Sequence, residues 1–126
     1  MTAEVNEFCK AKSFSKTAKP FTTPDVKEIP LERVFQKKIK DYLSTIPGCC
    51  VWKVNQGAYS SSGIPDIHCV INGKFFAFEV KRPWIGKETK LQREMVEKIN
   101  NAGGRAEFVS FVYEVKEVLE SEGVVC

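Results

Sequence analysis

The dipeptide Asn72-Gly73 constrains this chain more than any other feature. It stands between two apolar runs, Asp66 to Ile71 and Lys74 to Arg82, and Asn-Gly in that setting is a strong signal for a tight hairpin turn. A two-residue turn fixes register. Ile71 faces Lys74, and each further pair steps one residue back on one strand and one forward on the other. Ile67, Cys69, Ile71, Phe76, Phe78 and Val80 then share one face, which their apolarity marks as a core face. The other face sets Asp66 directly opposite Glu79, with Lys81 beside Glu79.

The remaining elements fall around this hairpin. Pro30 to Gly48 reads as a helix with an apolar stripe of Leu31, Val34, Phe35, Ile39, Tyr42, Leu43 and Ile46, ended by Pro47-Gly48. Cys49 to Asn55 reads as a strand, and Gln56 to Gly63 as a Gly/Ser loop. A second helix over Lys87 to Gly104 carries Leu91, Met95, Ile99 and Ala102 on one side and closes at Gly103-Gly104. A strand over Arg105 to Phe111 and a short helix over Tyr113 to Ser121 complete the order α-β-β-β-α-β-α. The strand-helix-strand passage implies a parallel crossover. The expected fold is therefore α/β, a mixed central sheet flanked by helices.

Residues 1–28 show no apolar periodicity and are expected to form a flexible tail, leaving 29–126 as one domain. At 126 residues the chain can bury a core without metal or disulfide support. Its net charge of +3 permits a polyanionic partner without demanding one. No apolar run reaches membrane-spanning length, and the N-terminus lacks a basic-then-apolar secretory pattern, so a cytoplasmic, non-secreted protein is expected. Cys9, Cys49, Cys50, Cys69 and Cys126 are odd in number and form no CxxC, which fits reduced, mostly buried thiols. His68 is the single histidine, which argues against a zinc site.

Two carboxylates directly opposite one another destabilise a sheet. A divalent cation between them reverses the sign, and hard oxygen ligands suit Mg2+ or Mn2+. With the Lys81 ammonium alongside, such a site matches metal-assisted phosphodiester hydrolysis. The competing account is a solvated polar strand face in which Lys81 only compensates charge. Pro65, which fixes how the chain enters the strand, and the Gly/Ser loop before it favour a built site.

Gly63-x-Pro65-Asp66, then Glu79-Val80-Lys81, then Gln92 in the following helix resemble the VRR-NUC branch of the PD-(D/E)xK nuclease superfamily, over about residues 30–120. The resemblance implies a restriction-endonuclease-like core. It implies metal binding by Asp66 and Glu79 with the Val80 carbonyl, and a catalytic role for Lys81. Glu32 is the candidate for the first-helix acid that many members use, and Gln92 joins the site. Small stand-alone members, often viral, act as homodimers on branched DNA such as four-way junctions. The implied function is thus an Mg2+- or Mn2+-dependent DNA endonuclease with no small-molecule cofactor, located in the cytoplasm, or in the cytoplasm or nucleus of a host. The alternatives are a nuclease for flaps, nicks or linear duplex, and a catalytically silent nucleic-acid-binding module.

Each secondary candidate has a plainer account beside the functional one. Glu32 also suits a first helical turn through the helix dipole. Thr89-x-x-Gln92 is a capping-box pattern. His68 shares the Asp66 face and reads as a plain polar strand residue. Tyr59, Ser60 and Ser61 in the Gly/Ser loop, together with Lys53, Arg82, Lys87 and Lys90, are candidates for DNA contact. Lys37, Lys38 and Lys40 read as a solvated helix face.

Overall fold

The computed structural model describes residues 25–54 and 63–125. Helix α1 (Glu32–Ser44) is followed by strands β1 (Cys49–Lys53), β2 (Ile67–Ile71) and β3 (Lys74–Val80). Helix α2 (Lys90–Asn101), strand β4 (Arg105–Val109) and helix α3 (Val112–Ser121) complete the expected order. The sheet runs β1-β2-β3-β4. The first two pairings are antiparallel and β3 pairs β4 in parallel, so the sheet is mixed, as the crossover required.

Asn72 and Gly73 both take positive φ, 49° and 88°, as a tight turn matched to strand twist needs. Ile71 pairs Lys74 and Ile67 pairs Phe78, which is the register expected from the turn. Ile67, Cys69, Ile71, Phe76, Phe78 and Val80 are all fully buried. Phe35, Ile39 and Leu43 of α1 and Val115, Val118 and Leu119 of α3 join them in one core cluster.

The helical stripes are shorter than their sequence patterns. Phe35, Ile39 and Leu43, four residues apart, form the buried spine of α1. Leu31 is 53% exposed because it is the extended N-cap residue, outside the helix. Val34 is also exposed, one residue and so about 100° round from Phe35. Helix α2 has no fully buried residue, and Leu91 and Ala102 are exposed. It lies along β4, where the Asn100 amide donates to the Ala106 carbonyl and its side-chain oxygen accepts from the Ala106 N–H (3.1 and 2.7 Å). Those two bonds occupy main-chain groups of a strand at the edge of the sheet.

Three further expectations change. Val26–Glu28 forms a 3-10 turn where a flexible tail was expected, capped by the Asp25 carboxylate, which accepts from the Lys27 N–H. Ile29 is buried directly after it. Cys50 is exposed rather than buried, because β1 is an edge strand and Cys50 points away from the core face; Cys49 is half-buried and Cys69 buried, all three as free thiols. Asp66 lies in a bend before β2 instead of inside the strand. Residues 1–24, the loop residues Tyr59, Ser60 and Ser61, and Cys126 lie outside the described residues. Among the described residues no helix is long and apolar enough to cross a membrane.

Candidate active site

The hairpin register carries the site. Continued past the Ile67–Phe78 pair, it sets Pro65 opposite Val80 and Asp66 opposite Glu79. Proline has no N–H to give, so the ladder stops at Ile67. The Asp66 carboxylate fills the gap: its Oδ2 accepts from the Val80 N–H at 2.9 Å. The N–H and C=O of one strand residue point toward the same edge, so the Val80 carbonyl also faces the Asp66 side, where Pro65 supplies no donor. Asp66 is held from its other side too, since its main-chain oxygen accepts from the Val54 N–H at 2.7 Å.

Glu79 is 4% exposed, an uncommon position for an acid. Its Oε1 accepts from the Gln92 amide at 2.9 Å and lies 3.6 Å from the Lys81 ammonium. Its Oε2 is buried without a hydrogen-bond partner. Burial, then the nearby Asp66 charge, pushes the Glu79 carboxyl up to about 8; Lys81 pulls the other way, and Glu32 adds to the rise. Lys81 itself is fixed through its backbone. Its N–H donates to the Val109 carbonyl at 2.8 Å, and its carbonyl accepts from the Ser110 hydroxyl at 2.7 Å.

Gln92 does both things its sequence context suggested. Its side-chain oxygen accepts from the Thr89 N–H, its own N–H donates to the Thr89 hydroxyl, and its amide nitrogen reaches Glu79. The two roles coexist because a capping glutamine turns its oxygen back to the N-cap and leaves its NH2 pointing outward. Gly63 (φ +72°) makes this approach possible. A Cβ there would stand 2.5 Å from the Leu91 main-chain carbon and oxygen.

Glu32 opens α1 at the rim of the same cavity, its Oε2 accepting from the Gln36 amide at 3.4 Å. Burial and then Asp66 raise its proton affinity, against Lys81, Lys53 and Arg82. Glu32, Lys53, Val54, Asp66, Glu79, Lys81 and Gln92 line one cavity of about 430 Å³. The structure thus brings Glu32, Asp66, Glu79, Lys81, Gln92 and Lys53 together.

Other candidates stand elsewhere. Arg82 is engaged with main chain: its Nε donates to the Pro30 carbonyl and its Nη2 to the carbonyls of Ile29 and Val26, at 3.0, 2.8 and 3.5 Å. These bonds tie the segment ahead of α1 to the end of β3. Lys87 and Lys90 are exposed outside the cavity lining, and Lys90 lies 3.8 Å from Glu94. His68 stands edge-on between the rings of Trp52 and Phe75, and burial lowers its proton affinity. Gln36 was missed. A glutamine one turn after Glu32 and adjacent in sequence to the spine residue Phe35 was the available signal.

Among the described residues no group of three or more His, Cys, Asp or Glu side chains stands ready to hold a metal. Two carboxylates, Asp66 and Glu79, do line one cavity, with the buried Glu79 Oε2 lacking a partner. Such a sparse oxygen set fits a hard ion that keeps several of its own waters, as Mg2+ does.

The fold recurs in a solved VRR_NUC domain. The two structures superpose with a TM-score of 0.58 at 24% identity, over 71% of this chain and 94% of that one. No family model matches this chain, and no curated protein matches it.

Proposed function

We propose that this chain is a metal-dependent endonuclease of the VRR-NUC type, hydrolysing phosphodiester bonds in branched DNA. One observation carries the reading: Glu79 is buried, and its Oε2 has no protein partner in the cavity it shares with Asp66. An unsatisfied buried carboxylate oxygen costs stability, and a cation is the ligand that removes the cost. The shared fold with a VRR_NUC domain supports the same chemistry.

Asp66, Glu79 and the Val80 carbonyl would hold Mg2+ or Mn2+. The ion supplies Lewis acidity, lowering the pKa of a bound water and offsetting charge on the scissile phosphate. Gln92 engages Glu79 Oε1 with a hydrogen bond, which leaves the unpartnered Oε2 as the oxygen for the ion. Lys81, anchored by Val109 and Ser110, presents a fixed positive charge to the attacked phosphate. Glu32, which lines the same cavity, would take the proton of the attacking water as its oxygen bonds to phosphorus, and the leaving ester oxygen would take a proton from solvent water as its bond to phosphorus breaks.

A homodimer acting on four-way junctions follows from the family resemblance, and the exposed Trp52 with half-buried His68, Val70 and Phe75 on the sheet face opposite the core supplies apolar surface for it. The decisive experiment is cleavage of four-way junction, flap, nicked and linear duplex DNA with Mg2+ or Mn2+, against E79A. Junction cutting by the wild type and none by E79A is the expected result. Equal cutting by both removes the site assignment, and preferential cutting of flaps or linear ends replaces the junction by that substrate.

A further inference from the structure

Helix α1 presents a second polar stripe that the metal chemistry does not use. Arg33, Gln36, Lys37, Lys40 and Asp41 recur at i, i+3, i+4, i+7 and i+8, so they fall on one helix face. Together with Lys53 and Ile67 they line a groove of about 280 Å³. Lys53 also lines the catalytic cavity, and the groove-lining Gln36 donates to Glu32 in that cavity, so the two depressions adjoin. The groove is therefore a continuation of the site and not a separate surface.

Its charge is distinctive. Four basic side chains face one carboxylate, and that carboxylate, Asp41, is already 2.7 Å from the Lys37 ammonium. The groove is three charges positive. The whole chain holds 19 basic and 16 acidic residues, also three positive, so everything outside the groove balances to zero. An ordinary solvated helix face would show no such concentration. From Arg33 to Lys40 the stripe runs about 10 Å along the helix at 1.5 Å per residue. Phosphates on one strand advance about 3.4 Å along a duplex axis, so the stripe matches about three successive nucleotides.

We propose that this groove, through Arg33, Lys37, Lys40 and Lys53, binds the phosphate backbone of the substrate strand as it leaves the catalytic cavity. The proposal rests on the nuclease reading for the chemistry of the ligand. It assigns α1 the work of holding DNA, where the sequence suggested a bare solvated face. Gln36 ties the groove to Glu32, so one helix carries both the acid at the site and the cations that fix the strand's path.

The test is binding of a labelled four-way junction and of a linear duplex in EDTA over a range of salt, followed by cleavage with Mg2+. The variants are the triple R33A/K37A/K40A and, as control, K38A, which removes one positive charge from the same helix outside the groove lining. Each phosphate contact contributes about 0.9 to the slope of log affinity against log salt. The triple variant is expected to lower that slope by roughly two to three and weaken binding at least about tenfold, while K38A leaves both unchanged. The melting temperature of the triple variant is expected to stay put, which separates lost binding from lost folding. A slope unchanged in the triple variant, or changed as much by K38A, overturns the groove while leaving a cleaving wild type as a nuclease. A wild type that neither binds nor cuts either DNA overturns both readings.

Discussion

Replacing Glu79 by Gln is expected to stabilise the metal-free protein at pH 8 and to abolish cleavage. The carboxyl is raised from an ordinary 4.5 to about 8 by burial and by Asp66. A raised acid pKa means that the folded state binds the proton more tightly than the unfolded state. Below pH 4.5 both states are protonated and the group contributes nothing. As pH rises from 4.5 toward 8 the unfolded chain ionises freely while the folded one resists, so stability falls across that window. At about 1.4 kcal/mol per unit, the ceiling is roughly 5 kcal/mol. Water entering the metal-free cavity and small carboxylate shifts reduce this to about 2 kcal/mol. Glutamine keeps the shape, retains an oxygen for the Gln92 amide, and puts an uncharged NH2 in place of the unpartnered Oε2. For a domain of this size 2 kcal/mol is roughly 10 °C in melting temperature. Thermal unfolding in EDTA at pH 4.5 and pH 8, wild type against E79Q, measures it. Mg2+ at about ten times its Kd would add about 1.4 kcal/mol to the wild type and nothing to the variant. A variant that melts at or below the wild type at pH 8, or gains equally at both pH values, would falsify the reasoning.

Four other substitutions follow from the same geometry. T89A removes a capping hydroxyl and is expected to cost about 1 kcal/mol with cleavage retained, whereas Q92A loses the side-chain oxygen that accepts from the Thr89 N–H and the hold on Glu79, so both stability and cleavage fall; melting curves beside gel assays separate them. G63A places a methyl 2.5 Å from Leu91 main chain and is expected to cost about 1–3 kcal/mol and reduce cleavage by shifting α2 from Glu79; unchanged melting would mean that the loop yields freely. R82A frees the carbonyls of Val26, Ile29 and Pro30, so the Glu28 and Ile29 amides, which close the 3-10 turn, are expected to exchange hydrogen much faster with little loss in global melting; full protection in R82A would show that the buried Ile29 alone holds the segment.

The legible part of the fold is the part with local causes. A left-handed Asn-Gly turn set the β2–β3 register, and alternation from it separated core residues from the Asp66, Glu79 and Lys81 side. Element order followed from helix and strand periods with their stops. The apolar stripes of α1 and α2 run beyond the buried surface because periodicity shows which side is apolar, not how far the sheet extends beneath it. Leu31, Val34 and Leu91 lie past that support. The Asp66–Glu79 approach was expected as a direct ladder pair and is made instead at a bend, because Pro65 cannot extend the ladder.

From its sequence alone the chain settled which residues could meet across the hairpin, since turn chemistry and a two-residue period act within a dozen positions. Tertiary structure decided what the long side chains do. Arg82 found carbonyls more than fifty residues away, Gln92 divided its amide between a helix cap and Glu79, and four cations of α1 and β1 came to border one groove. Those outcomes depend on which main-chain groups are left without partners once distant segments have packed, and no local pattern encodes that.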